Sequence, residues 1–223
     1  MAKALRMRTN GRGYATVLLL VIASIALQMI LPPSNGSRFA TIALVAATLV
    51  AAIRSSSVRG RDLRLAALTA ILILITSTIT WVVRGDIPQA PAAVVNGLLV
   101  AIAPLAIARG LLHDLREQHG VTAGTLAGVL CIYLLAGMFF SFIYGVIGAV
   151  DGDALFAQTS HPDRQDELYF SFVTLSTVGY GDLTPAGGVP RAFAVAEMLI
   201  GQIYLVTIVS LIVTNLGTRR RQV

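Results

Sequence analysis

The stretch Thr177-Val178-Gly179-Tyr180-Gly181-Asp182 lies between two long apolar segments, and the rest of the chain is read from it. A polar loop at membrane depth is stable only where protein buries it or where it lines an aqueous path. Two glycines alternating with Val and Tyr suit a strand-like ribbon with positive φ at Gly179 and Gly181, where no Cβ opposes that conformation. In such a ribbon successive carbonyl oxygens can point the same way, toward an axis.

The run Thr177 to Gly181 resembles the selectivity filter of potassium channels, the standard example of carbonyl rings that replace an ion's hydration shell. The resemblance implies that the Thr177 hydroxyl and the carbonyls of Thr177, Val178, Gly179 and Tyr180 hold K+, with Gly181 completing the ribbon. It also implies a homotetramer, because one chain supplies one loop and four must surround the axis. Likeness to the simple two-span bacterial potassium channels covers about residues 122–217. The family's pore helix often carries paired tryptophans where this chain has Tyr169 and Phe170, and a glutamate of some members is replaced by Val173. The expected support for Asp182 is therefore a hydrogen bond from the Tyr169 hydroxyl. Gly201 matches the family's hinge glycine. By the same alignment Gln202, Leu205, Val209 and Val213 face the conduction path, and the apolar pair Val209 and Val213 could close it by dewetting. Glu197 is an ionisable group within a membrane span, which by default suggests a function. It is expected behind the pore helix, near the hydroxyl of Ser171 or Thr174.

Around the ribbon, residues 167–176 read as a short helix dipping into the membrane, its negative dipole end aimed at a dehydrating cation. The preceding loop, 151–168, carries Asp151, Asp153, Asp163, Asp166 and Glu167 against the single Arg164. Such a loop would concentrate cations at a pore mouth or simply keep the loop soluble. His161 could add proton sensitivity there.

Farther out, six apolar segments can be drawn, at about 14–31, 38–53, 63–83, 91–109, 122–150 and 190–216, roughly 1.5 Å per residue against a core of about 30 Å. The second is short. With the N-terminus in the cytoplasm, thirteen of the 17 Lys and Arg residues lie inside and four (Arg38, Arg84, Arg164, Arg191) outside. The positive-inside rule thus gives six spans, both termini cytoplasmic and the ribbon at the outer face. Residues 91–108 hold no charged residue, so this span gains no voltage dependence from moving arginines. Arg109 to His119 reads as a short interfacial helix. The expected architecture is all-α. A four-span N-terminal domain (1–121) precedes a pore domain (122–223) of outer helix, pore helix, filter and inner helix.

Composition agrees: of 223 residues 56% are hydrophobic and 13% charged, with mean hydropathy +0.77. The net charge of +6 is spread between apolar spans, which argues against nucleic-acid binding. Cys131 stands alone within an apolar segment, so it reads as a packing residue and no intrachain disulfide is possible. The three histidines are scattered, and neither a catalytic constellation nor an organic cofactor is implied. The basic start and the run from Ala15 to Leu31 resemble a signal peptide but exceed a typical h-region, so they read as an anchor. The reading is a passive K+ channel in a plasma membrane of the bacterial inner-membrane kind, with K+ and membrane lipids as its partners. Its alternatives are a weakly selective monovalent cation channel and a membrane sensor or assembly subunit with a vestigial pore.

Overall fold

A computed structural model describes residues 2–32, 34–55, 89–116, 123–150 and 154–210. Its helices are α1 (Ala2–Ile30), α2 (Asn35–Ser55), α3 (Gln89–Arg116), α4 (Ala123–Val150), the short α5 (Arg164–Leu175) and α6 (Gly188–Ile203). A π-helical turn, Tyr204–Val209, continues α6. Among the described residues there is no strand, only isolated bridges. Four helical stretches are long and apolar enough to cross a membrane: Gly13–Ile30, Asn35–Ser55, Gly124–Val150 and Gly188–Val209. A shorter apolar stretch, Asn96–Leu111, lies in α3. The chain is a multi-pass membrane protein.

Two sequence expectations change, and others lie outside the described residues. The short second span is a 21-residue helix, because Asn35 to Arg38 and Arg54 to Ser55 extend its apolar middle. The segment from Arg109 to Arg116 is no separate interfacial helix; it is the end of α3, since nothing between Ala108 and Arg116 breaks the helical run. The third segment, 63–83, lies outside the described residues, as does Val213.

Packing follows the helical repeat. α1 buries Tyr14, Val17, Val21, Ser24 and Gln28, alternate steps of three and four that form one stripe. That stripe meets α2 and α4, while α3 closes the bundle against α2 and α4. The cluster so formed includes Leu49, Leu99, Ile107, Leu135, Met138 and Phe142. Cys131 is fully buried in it, its Sγ 3.7 Å from the Tyr14 carbonyl, in keeping with a packing role.

α4 has a second face. Phe140 and Tyr144 pack with Leu155, Phe156, Phe170 and Ala194 in a separate cluster. Phe170 meets Tyr144 edge-on, with ring centroids 5.0 Å apart. α4 therefore joins the N-terminal bundle to the elements around residues 164–210. By contrast α6 buries only Pro190, Ala194, Glu197 and Gly201, again one narrow stripe.

Candidate ion-conduction site

The short helix α5 sets the ribbon's position, and its start is capped on both sides. The Asp163 carboxylate accepts from the backbone N–H of Gln165 (2.7 Å) and Asp166 (3.0 Å), and the Asp163 N–H donates to the Asp166 carboxylate (3.2 Å). This capping box satisfies donors that a helix start would otherwise leave unpaired. Glu167 is buried and pairs with Arg164 at 2.8 Å. Three of the five carboxylates expected at the outer mouth are thus engaged in holding α5, which corrects the picture of an open acidic loop.

At its other end the helix turns its carbonyls onto the ribbon. The N–H groups of Ser176, Thr177 and Val178 donate to the carbonyls of Phe172, Thr174 and Val173. Thr177, Gly179 and Gly181 have φ of +59°, +56° and +80°, and Thr177 is the one non-glycine with positive φ among the described residues. The φ sign therefore alternates along 177–181. Backbone that alternates its hand turns successive N–H groups to one side. A Cβ at Gly179 or Gly181 would meet nothing within 4 Å, so these glycines answer to conformation and not to space. The ribbon's side chains are unpartnered within the chain, with Val178 53% and Tyr180 70% exposed.

Two sets of contacts hold the ribbon's flanks. At the end of the ribbon the Tyr169 hydroxyl donates to the Asp182 carboxylate at 2.6 Å, and the Leu183 N–H donates to the same group at 3.0 Å. The Tyr169 bond holds the Asp182 carboxyl below its ordinary range, and it pushes the Tyr169 phenol up to about 12. Beyond Asp182, the Ala157 N–H donates to the Thr184 carbonyl (2.9 Å) and the Ala186 N–H to the Leu155 carbonyl (3.0 Å), which staples the outgoing loop to residues 155–157.

Behind α5, Glu197 is fully buried and reaches two hydroxyls. Tyr144 donates to it at 2.7 Å, and Ser171 lies within hydrogen-bond distance of both Glu197 and the Gly137 carbonyl. Glu197 thus connects α6 to α4 and α5. Gly201 sits against the end of α5, where a Cβ would stand 2.1 Å from the Leu175 carbonyl oxygen. That carbonyl also accepts from the Tyr133 hydroxyl at 3.3 Å.

The expected gate residues divide. Gln202 is exposed and Leu205 half-buried, whereas Val209 packs partly against the N-terminal cluster. The π-helical winding of Tyr204–Val209 inserts an extra residue per turn and so displaces the simple α-helical row expected for Gln202, Leu205 and Val209. Sequence reasoning also missed Arg164 as a structural centre. Its guanidinium touches Gln28, Ser141 and Glu167 and lies 3.8 Å over the Phe142 ring. The signal available was the Arg164–Glu167 pair, an i, i+3 spacing of opposite charges at the edge of an apolar helix.

Long apolar helices, with buried polar residues behind a short helix and a ribbon of alternating hand, define an all-helical multi-pass membrane protein. Residues 128–217 match a family model described as Ion channel. The chain is 37% identical over 102 residues to Protein LctB of Bacillus caldotenax, a match covering 43% of this chain and 75% of LctB. It is 49% identical over 45 residues to Two pore potassium channel c of Oryza sativa subsp. japonica, 20% of this chain and 10% of that one. Two-pore potassium channel 2 of Arabidopsis thaliana is 31% identical over 88 residues, 40% of this chain and 18% of its own length. The chain belongs to the potassium channel family. It spans three quarters of LctB but less than a fifth of either plant channel. These matches point to a channel and not to an enzyme.

Proposed function

We propose that this protein conducts K+ passively and selectively across a membrane, through a pore formed by four copies of residues 177–181. The observation that carries the reading is the positive φ at Thr177, Gly179 and Gly181, alternating with Val178 and Tyr180, in a segment that reads TVGYG. Carbonyls aligned by that alternation would replace the water around the ion, and ions in file would repel one another outward. The Thr177 hydroxyl and the carbonyls of Thr177, Val178, Gly179 and Tyr180 are the ligands in this reading, and no organic cofactor is needed.

A left-handed Thr supports it. Strain of about 1–3 kcal/mol at a non-glycine residue persists where surrounding structure enforces it and clusters at functional sites. α6 supports the assembly: Phe193, Met198, Leu199 and Ile203 are exposed, and a helix apolar on nearly every side calls for neighbours beyond its own chain. Tyr169 with Asp182 braces the ribbon from outside, Glu197 braces α5 from behind, and Gln202 and Leu205 line the path below. Residues 91–108 carry no charge, which favours opening without an arginine-bearing voltage sensor. The Lys and Arg distribution favours cytoplasmic termini, and the LctB match favours a bacterial inner membrane.

Purified protein in liposomes tests the reading. The expected result is a particle of four chains that carries K+ down its gradient and excludes Na+, with flux abolished by Gly179→Ala. A particle of another stoichiometry, or flux of Na+ equal to that of K+, would overturn it.

A further inference from the structure

Arg164 occupies the first position of α5, where a positive charge opposes the helix dipole. Its presence therefore does nothing for the helix as such, and its contacts supply the reason. Nε donates to the Gln28 side chain of α1 at 3.2 Å; Nη1 donates to the Ser141 carbonyl (2.9 Å) and to Glu167 (2.8 Å); Nη2 donates to the Ser141 hydroxyl (2.7 Å). One planar fork thus grips α1, α4 and α5 together, a geometry that an ammonium group cannot reproduce. Each partner is itself fixed. Gln28 is buried and donates to the Ser24 carbonyl at 3.0 Å. Glu167 lies so close to Gly145 that a Cβ there would stand 2.8 Å from its carboxylate.

We infer that Arg164 is the positioning residue through which α1 fixes α5, so that the first helix of the chain helps set the geometry of the 177–181 ribbon. α5 is a single rigid rod whose far end leads into Thr177 within two residues. A tilt at Arg164 is carried along its length, about 18 Å for twelve residues, to the ribbon. The Gln165 side chain adds a parallel tie, donating to the Leu31 carbonyl at the end of α1 (3.0 Å). This gives the N-terminal helices a task in the pore, and the effect on selectivity rests on the channel reading above.

The full-length protein in liposomes is compared with Gln28→Leu, Gln28→Glu and Arg164→Lys. Two quantities are read: amide hydrogen exchange over 168–176 and the Na+ to K+ permeability ratio. Loss of one hydrogen bond to a charged group should speed exchange in α5 by about tenfold in Gln28→Leu, with α2 unchanged and relative Na+ permeability raised. Gln28→Glu keeps an acceptor for Arg164 and should restore wild-type protection, whereas Arg164→Lys should resemble Gln28→Leu. Wild-type exchange over α5 in both Gln28→Leu and Arg164→Lys would overturn the inference, and so would equal loosening by Gln28→Leu and Gln28→Glu. A wild-type protein that carries no K+ would defeat the channel reading alone, since the exchange data still decide the role of Arg164.

Discussion

The Tyr169–Asp182 bond has a definite pH dependence. The hydroxyl favours the charged carboxylate and lowers its pKa, so its contribution is complete above the ordinary value of 3.8 and fades as pH falls through the lowered folded value. The phenol, pushed up to about 12, keeps its proton throughout. External acidification from about pH 8 to about pH 5 should therefore leave ion selectivity unchanged, given an ordinary carboxylate range near 4; reversal potentials recorded across that range check it. Tyr169→Phe removes the donor, and selectivity or inactivation should then change at neutral pH. At Glu197, Glu→Gln keeps an acceptor for Tyr144 and should fold, whereas Glu→Ala strands the buried Tyr144 hydroxyl at about 1–3 kcal/mol, while Ser171 still has the Gly137 carbonyl. Thermal unfolding in detergent separates the two variants. Gly201→Ala forces a methyl against the Leu175 carbonyl and should cost about 1–3 kcal/mol by overpacking, read in the same assay. The need for Gly201 was visible in the sequence as a helix-interior glycine; its cause was not, because the contact spans 26 residues. Thr177 was less legible still, since nothing about threonine announces a positive φ. That conformation goes with the hydrogen bonds of the Thr177 and Val178 N–H groups to the last carbonyls of α5, which only the fold supplies.

Among the elements, α5 depends on its cap. Asp163→Ala removes the acceptor for two backbone donors and should cost about 1 kcal/mol. Exchange at the first turn of α5 should then rise several-fold, while the turn ending at Leu175 changes less. The long helices were plain in the sequence because each is a continuous apolar run. Both α4 and the apolar part of α1, Gly13–Ile30, lie where those runs predict, as does the start of α6, whereas α1 itself runs on through the polar residues back to Ala2. Their ends were harder. Polar residues such as Asn35 and Arg54 continue α2 because helix ends can reach the polar interface, which an apolar window truncates. The π-helical turn after Ile203 has no sequence signature in Tyr204–Val209. It is the tertiary bond from the Tyr204 hydroxyl to the Val129 carbonyl (2.7 Å) that accompanies it. Likewise Glu167 read as a surface acid, because only the fold brings Arg164 and Gly145 to it.

For the whole molecule, the two clusters on opposite faces of α4 make the N-terminal bundle and the ribbon's supports one connected body. What that body leaves uncovered is informative: the side chains of Val178 and Tyr180 and most of the apolar surface of α6 are exposed in one chain. Both surfaces find a partner if four chains meet on an axis with their carbonyls turned inward. The measurement closest to this claim is the reversal potential of the purified, reconstituted protein with K+ on one side of the bilayer and Na+ on the other. A strongly K+-directed potential, lost in Gly179→Ala, is the expected result; a potential near zero across the same gradient would contradict it.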